Sequence, residues 1–489
     1  MSNILFVASE VFPLIKTGGL ADVAASLPRA LTKLKHDVRI LLPAYAAVMN
    51  AAQNKFKKIQ TLDIDGQQTV LWKTSLPGTR IPVWLVDTPA FSQREGNPYC
   101  GPDGNDWPDN AQRFLLFARA ARLIALNEAG LDWPVDLVQC NDWQTGLIPA
   151  LLAQETRRPA TVFTIHNLAY RGLFSWDTFA SLGLPADWWH MERLEFYNQF
   201  CFMKGGLVYA DRITTVSPSY AQEIQTPEAG HGLDGLLRHR KEILSGILNG
   251  IDTDEWNPGT DKYIAQIYNR RALANKLKNK AALQTRCALD VSEKPLLGFI
   301  GRLVEQKGID LIIANLPQLL QDGCQCVILG SGMKEYEQQL TQLAQQYPQQ
   351  LAVTIGYDES LAHLIEAGAD IFLMPSSYEP CGLNQLYSLR YGTPPVVHAV
   401  GGLRDSVIDY AEPSQVDATG FLFYQYTTHG LYAAIQRALE AWRDKTVWRM
   451  LQNNGMAQDL SWQRSAQEYT QLYDQLLQAR IQQQPAAKA

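Results

Sequence analysis

At 489 residues, the chain exceeds what one hydrophobic core supports, so two or three domains are expected. A formal net charge of −6, with charged residues at 19% and no long run of one sign, excludes a general attraction to nucleic acid or anionic membrane; an anionic substrate therefore needs locally placed cations. The seven cysteines (Cys100, Cys140, Cys201, Cys287, Cys324, Cys326 and Cys381) are odd in number and lack CxxC spacing, which excludes a disulfide framework and a structural zinc site. Residues 1–9 carry neither a basic leader nor an apolar segment of signal-peptide length. No stretch approaches the roughly 18 apolar residues that span a bilayer, and a reducing cytoplasm is the expected location.

Residues 4–8 are a continuous apolar run, which suits a strand buried on both faces. A glycine loop follows, residues 20–34 show helical apolar spacing, and residues 38–42 make a second strand-like run. The N-terminus thus reads strand, loop, helix, strand. The unit recurs: residues 135–140 precede a helix near 146–154, residues 160–165 end at His166, and residues 212–216 end at Ser217-Pro218 before another helix. This alternation predicts a doubly wound α/β domain with a parallel sheet. After Leu248-Asn249-Gly250 the polar segment 252–261 leads to a fresh series at 296–300, 326–329, 353–355, 371–374 and 395–398. A second α/β domain is therefore expected from near residue 250. The turns Lys16-Thr17-Gly18-Gly19-Leu20 and Val400-Gly401-Gly402-Leu403 look alike and hint at two related folds. Residues 461–477 are helical in pattern, and residues 481–489 are expected to form a frayed tail.

Several loops at strand ends carry chemistry. Lys16-Thr17-Gly18-Gly19-Leu20 lies between a buried strand and a helix, where backbone N–H groups and the helix dipole favour an anion; a plain tight turn with a solvated lysine has the same spacing. Arg302 and Lys307 leave one strand end together and either clamp a diphosphate or form a surface pair. Glu379 and the loop Pro380-Cys381-Gly382-Leu383 precede a helical segment over residues 385–391. The carboxylate either caps that helix or grips sugar hydroxyls, and Gly382-Leu383 could offer N–H groups to a phosphate. His166-Asn167 and Asn141-Asp142-Trp143 end neighbouring strands and put polar groups on the ligand rim of the first sheet, where a histidine can be structural or functional. With 12 tryptophans and 20 tyrosines, sugar-stacking rings are available, but composition assigns none of them.

A nicotinamide oxidoreductase also uses strand-loop-helix sites. Here GxGxxG is missing from the first loop, Gly330-Ser331-Gly332 lacks a third glycine, and Ile40-Leu41-Leu42-Pro43 ends without an acidic ribose partner. No GxxxxGK[ST], GxSxG or HExxH occurs, which removes the P-loop and the usual hydrolase signatures. A non-catalytic glucan-binding protein remains as an alternative of another class; it would need aromatic platforms without the cation pair, glycine loop and carboxylate together.

The ordered set Lys16-Thr17-Gly18-Gly19-Leu20-Ala21-Asp22-Val23, Asn141-Asp142-Trp143-Gln144-Thr145-Gly146-Leu147, Thr164-Ile165-His166-Asn167-Leu168-Ala169-Tyr170, Gly246-Ile247-Leu248-Asn249-Gly250-Ile251-Asp252, Gly298-Phe299-Ile300-Gly301-Arg302-Leu303, Gln306-Lys307-Gly308 and Pro375-Ser376-Ser377-Tyr378-Glu379-Pro380-Cys381-Gly382-Leu383-Asn384-Gln385-Leu386-Tyr387 resembles the bacterial glycogen and starch synthase family over about residues 4–470. The resemblance implies an α/β GT-B fold of two Rossmann-like doubly wound domains facing a central cleft. The expected boundaries are 1–248 for an acceptor-side domain, 249–460 for a nucleotide-sugar domain, 461–480 for a helix returning to the first domain, and 481–489 for the tail.

The same resemblance implies ADP-glucose as donor, glycogen or a maltooligosaccharide as acceptor, retention of the α configuration, no metal and no other cofactor. Another donor or acceptor on the same fold is the nearer alternative, because no spacing rule separates adenine from uracil. Lys16, Gly18 and Gly19 would close over the donor; Arg302, Lys307 and the N–H groups around Gly382 and Leu383 would hold the diphosphate. Asn249 and Glu379 would grip the glucose, Tyr357 would stack on the base, and His166 and Asp142 would border the anomeric carbon. Asp22, Asn167, Cys381 and Asn384 complete the implied substrate set. No matching pair of carboxylates offers the roughly 5 Å spacing of a retaining glycosidase, so departure and attack on one face of an oxocarbenium-like ion pair is implied. The sequence departs from the family at Asn141 and Gln144, where histidines often flank Asp-Trp, and at Val400, where threonine usually precedes the glycines. These positions bear on acceptor contacts and on the surroundings of the phosphates.

Overall fold

The apolar runs at residues 4–8 and 296–300 become central strands of two separate sheets, each buried on both faces because helices cover it above and below. The computed structural model describes residues 1–51 and 55–483. Two units emerge: one holds Met1–Asn249 together with the C-terminal helix Trp462–Gln483, and the other is Gly250–Ser461.

The main sheet of the first unit has nine strands: β1 (Asn3–Val7), β2 (Asp37–Pro43), β3 (Lys57–Ile64), β4 (Gln67–Ser75), β5 (Pro82–Asp87), β6 (Leu137–Asn141), β7 (Ala160–Ile165), β8 (Arg212–Thr215) and β9 (Leu244–Gly246). Their order in the sheet is β9-β8-β7-β6-β1-β2-β5-β4-β3. The pairs from β9 to β5 are parallel, and only β4 with β5 and β3 with β4 run antiparallel. β1 lies between β2 and β6, so the chain winds to one side and then the other. Loops after β1 and β6 consequently open side by side. The helix Gly19–Lys33 buries Leu20, Val23, Ala24, Leu27 and Leu31, the one-face spacing of a 3.6-residue period.

The C-terminal helix is fastened to this first unit by polar contacts across its length. Tyr473 Oη donates to Gln139 Oε1 at 2.8 Å, Ser465 Oγ to the Leu248 carbonyl at 2.6 Å, and Arg480 to Asp211 Oδ2 at 3.1 Å. It runs to Gln483, so residues 481–483 of the expected tail are helical; residues 484–489 lie outside the described residues.

The second unit carries six parallel strands: β10 (Leu296–Ile300), β11 (Gln325–Gly330), β12 (Leu351–Ile355), β13 (Ile371–Met374), β14 (Pro395–His398) and β15 (Phe421–Phe423). Their order is β12-β11-β10-β13-β14-β15, the 3-2-1-4-5-6 arrangement of a dinucleotide-binding sheet. Its winding direction reverses between β10 and β13, which is where such sheets place ligands. Residues 250–275 are anchored by Trp256, stacked between His363 and Tyr387 with ring centroids 3.8 Å away on each side. His363 in turn sets Nδ1 2.7 Å from Asp261 Oδ2 and Nε2 3.3 Å from Glu359 Oε1.

Candidate functional site

In the first unit, the loop between β1 and the helix Gly19–Lys33 is organised around a side chain that the sequence motifs did not single out. Glu10 is buried (3% exposed). Its carboxylate accepts the backbone N–H of Thr17 at 2.5 Å and of Gly18 at 3.0 Å, the Thr17 hydroxyl, and the Tyr99 hydroxyl at 2.5 Å. Burial and the neighbouring Glu10 charge push the Tyr99 hydroxyl well above its usual value, so it stays a donor. Two N–H groups expected to face an incoming anion are therefore taken by the protein's own carboxylate, which fixes the shape of the Gly18-Gly19 turn. Lys16 Nζ reaches Asp22 Oδ1 at 2.9 Å across the first helical turn, in an exposed pair.

At the end of β6, Asp142 adopts φ +57°, a conformation costly for a residue with a Cβ. The bend turns its carboxylate back toward the end of β7, where Oδ1 accepts His166 N–H at 2.7 Å and Asn167 N–H at 3.3 Å. Burial pushes the Asp142 carboxyl up to about 7, against the pull of those two donors. Burial also presses the His166 imidazole down to about 3, so the ring is neutral. Its Nε2 lies 3.0 Å from Asn141 Oδ1. Asn167 spends its own Oδ1 on Ala169 N–H at 3.0 Å. Asn249 is 7% exposed, and its buried Oδ1 has no hydrogen-bond partner among the described residues. An orphan acceptor of that kind is costly unless a ligand donates to it.

In the second unit, two polar tethers join the loops after β10 and β13. Arg302 donates to Gln306 Oε1 at 3.1 Å, and Gln306 Nε2 donates to the Tyr378 carbonyl at 2.8 Å. Lys307 Nζ donates to Glu379 Oε2 at 2.5 Å, and the Ser376 hydroxyl donates to the same oxygen at 3.0 Å. Gly308 makes this approach possible: it sits at φ +71°, and a Cβ there would fall 2.1 Å from the Pro375 carbonyl oxygen. Gly401 plays the same part opposite Glu379, at φ +44° with the Glu379 carbonyl 2.0 Å from any Cβ. Both are positions that only glycine fills without moving backbone.

The loop Cys381-Gly382-Leu383 is held by Gln385, whose Nε2 donates to the carbonyls of Cys381 at 2.9 Å and Gly382 at 3.2 Å. Cys381 is buried, and Asn384 Nδ2 donates to the Ile300 carbonyl at 2.7 Å, tying the start of the helix Asn384–Arg390 to the end of β10. Tyr357 follows β12 and is 81% exposed, a free ring face. Val400 precedes the helix Gly401–Ser406 and caps it with no side-chain hydrogen bond.

The structure thus brings the predicted residues into two groups. Lys16, Gly18, Gly19, Asp22, Asp142, His166, Asn167 and Asn249 belong to the first unit, and Arg302, Lys307, Tyr357, Glu379, Cys381, Gly382, Leu383 and Asn384 to the second. Sequence reasoning missed Glu10, Tyr99, Gln306 and Ser376. Gln306 and Ser376 lie inside the motifs quoted above without a role of their own, and Glu10 is visible as the first charged residue after the apolar run 4–8. Among the described residues, no group of three or more His, Cys, Asp or Glu side chains is placed to hold a metal ion, and no helix is long and apolar enough to cross a membrane.

Comparison with known proteins bears on both groups. Residues 3–239 match the family described as the starch synthase catalytic domain, and residues 287–454 match glycosyl transferases group 1. A glycogen synthase of Cellvibrio japonicus is 64% identical over 480 residues, covering 97% of this chain and 100% of the relative. One of Marinobacter nauticus is 55% identical, covering 98% of each. Among solved structures, the catalytic domain of starch synthase IV from Arabidopsis thaliana, bound to ADP and acarbose, superposes with a TM-score of 0.87 at 32% identity, covering 98% of this chain and 99% of that one. A sucrose-phosphate synthase from Thermosynechococcus elongatus, at 18% identity and a TM-score of 0.61, shares the fold.

Proposed function

The chain belongs to the glycogen synthase family, and we propose that it transfers glucose from ADP-glucose to the non-reducing end of an α-1,4-glucan, glycogen or a maltooligosaccharide, with retention of configuration. The observation that carries this reading is the cation pair at the reversal point of the second sheet: Arg302 and Lys307 leave β10 where Glu379 leaves β13, and hydrogen bonds tie the two loops. Glu305 shares the loop and Glu379 rests on Lys307, so the strand end carries no net positive excess; a diphosphate is met by direct hydrogen bonds from the Arg302 guanidinium and the remaining Lys307 N–H groups. The ADP carried by the Arabidopsis neighbour supports adenine as the base, and the exposed ring of Tyr357 offers it a stacking face.

In the proposed mechanism Arg302 and Lys307 take up negative charge as the bond from the anomeric carbon to the diphosphate lengthens, which lowers the barrier by about 3–4 kcal/mol for a well-aimed donor. They supply this without a metal ion. Glu379, fixed by Lys307 and Ser376, accepts hydrogen bonds from glucose hydroxyls, as does the unpartnered oxygen of Asn249. Asp142 and His166 border the reacting carbon; a neutral imidazole there adds no charge that would oppose an oxocarbenium-like centre. The glucan hydroxyl attacks on the face that the diphosphate leaves, and a departing phosphate oxygen takes its proton. The reaction is assigned to the cytoplasm, with no nucleic-acid or membrane partner.

The test is ADP release from ADP-glucose with glycogen as acceptor, beside UDP-glucose, an Arg302→Ala/Lys307→Ala double variant and a chelator arm. The expected result is acceptor-dependent, chelator-resistant ADP release that collapses in the variant. Absence of turnover with ADP-glucose in the folded protein would overturn the donor assignment, and inversion at the new linkage would overturn the mechanism.

A further inference from the structure

Asn141 closes β6 with 1% of its surface exposed, and its side-chain amide meets two groups of fixed chemistry. On one side Nδ2 lies 2.9 Å from the Val7 carbonyl of β1; on the other, Oδ1 lies 3.0 Å from His166 Nε2. A carbonyl oxygen only accepts, so Val7 requires the amino group of Asn141 to face it, and an amide turned the other way would set two oxygens against each other. That leaves Oδ1, which also only accepts, facing the imidazole. His166 Nε2 must therefore carry the hydrogen. A neutral imidazole holds one N–H, so Nδ1 is left with its lone pair. Among the described residues Nδ1 makes no hydrogen bond.

We infer that Asn141 is a positioning residue that locks His166 in its Nε2–H tautomer, so that the ring offers Nδ1 as a hydrogen-bond acceptor, neither a donor nor a cation, to a hydroxyl of the transferred hexose. The inference rests on the hexosyl-transfer reading for what Nδ1 meets, but the tautomer itself follows from the chain Val7–Asn141–His166 alone. Neighbouring groups are compatible with a neutral ring. Asp142 binds the His166 backbone N–H rather than its imidazole, Glu10 is committed to Thr17, Gly18 and Tyr99, and burial keeps the imidazole from taking a second proton. A leucine in place of Asn141 would conserve most of the volume while removing the acceptor. Both tautomers would then be open, and the Nδ1–H form would turn a donor toward hydroxyls that the parent ring accepts from.

The test is long-range proton–nitrogen correlation on protein labelled with 15N in its histidine rings, without donor or acceptor. The chain has eight histidines, and a His166→Gln variant identifies the signal. In the parent protein His166 should show a protonated Nε2 and a bare Nδ1 from pH 5.5 to 8.5, without titration in that range. In Asn141→Leu the pattern should move to a mixture or to Nδ1–H. The same variant should lose tenfold or more in kcat/KM for ADP-glucose, while the KM for glycogen stays within twofold. An Nδ1–H ring in the parent protein overturns the proposal without any variant having to fold; so does an unchanged tautomer in a folded Asn141→Leu. Failure of the parent to use ADP-glucose would strike the functional reading and leave the spectroscopic result standing.

Discussion

Replacing Lys307 by alanine separates its pairing with Glu379 from the stabilisation of the leaving diphosphate proposed for the same ammonium group. Its Nζ lies 2.5 Å from Glu379 Oε2, with the side chains 19% and 9% exposed. At that distance and an effective dielectric of about 20, the Coulomb attraction is roughly 6–7 kcal/mol before desolvation is subtracted. Removing one partner of a largely buried pair costs about 3 kcal/mol, because the remaining charge stays in place without compensation. Glu379 keeps its bond from Ser376, so the lower part of the usual range applies. Lys307→Ala should therefore destabilise the second unit by about 3 kcal/mol, and adding Glu379→Gln should recover about 2 kcal/mol of it, since the neutral amide no longer needs the cation. Hydrogen exchange resolved to peptides around residues 300–310 and 371–381 reads this locally, where a global unfolding curve would mix two units. Turnover behaves differently: kcat should fall about 10²–10³-fold in Lys307→Ala, and Glu379→Gln should not restore it. An Lys307→Ala variant within tenfold of the parent rate, or one whose instability Glu379→Gln leaves untouched, would refute the reasoning.

Gly308→Ala must place a Cβ 2.1 Å from the Pro375 carbonyl at φ +71°; the left-handed backbone alone costs about 1–2 kcal/mol, and a lowered Tm with raised KM for the donor is expected. Glu10→Gln puts an amino group among donors that now meet a carboxylate, at a cost of about 1.5–3 kcal/mol for each charge-assisted bond lost, and amide exchange at Thr17 and Gly18 should accelerate. Stability should also depend on pH through His363. Burial pulls its pKa down, but the bonds to Asp261 and Glu359 overcome this and raise it to about 9. A raised histidine stabilises fully below its unfolded value near 6.5, and loses that contribution as pH climbs through the folded value. About 3 kcal/mol should therefore disappear between pH 6.5 and 9, from a shift of about 2.5 units at 1.36 kcal/mol each. Urea midpoints of the second unit should fall over that window, and fall much less in His363→Asn.

The parallel strands were legible because burial on both faces leaves a continuous apolar run. Residues 160–165, 296–300, 371–374 and 395–398 are strands with those same ends. The antiparallel extension β3-β4 escaped notice because its strands are polar, with Lys57, Lys58, Gln67 and Gln68 exposed; a half-covered edge leaves a weak alternation that turn residues obscure. The loops carrying the candidate residues were legible for a different reason, since glycines and cations at strand ends mark where backbone must approach something closely. Their internal partners were hidden. Lys307 and Glu379 are 72 positions apart, and nothing in spacing says that the cation rests on that carboxylate. Likewise the Gly18-Gly19 turn reads as an anion site, while the fold supplies Glu10 as its resident anion.

That resident chemistry ranks the cations by how freely they can turn to a phosphate. Lys16 and Asp22 are 45% and 23% exposed, and such a pair contributes about 0–1 kcal/mol, so Lys16 can exchange Asp22 for a phosphate oxygen at little cost. Arg302 is exposed, and its hydrogen bond is to the neutral Gln306, so its charge is also at a ligand's disposal. Lys307 is different: leaving Glu379 would uncover a buried carboxylate, so in the proposed mechanism it meets phosphate through its remaining N–H groups while keeping that bond. Exposed charges are screened by salt and enclosed ones much less. Raising ionic strength from about 0.05 to 0.5 M should therefore increase the donor KM mainly through Lys16 and Arg302. The slope of log KM against log salt should flatten in Lys16→Ala and in Arg302→Ala, yet persist in a Lys307→Ala variant that turns over slowly. A slope that survives in the first two variants and vanishes in the third would reverse this ranking, and with it the view that Glu379 holds Lys307 in place during the reaction.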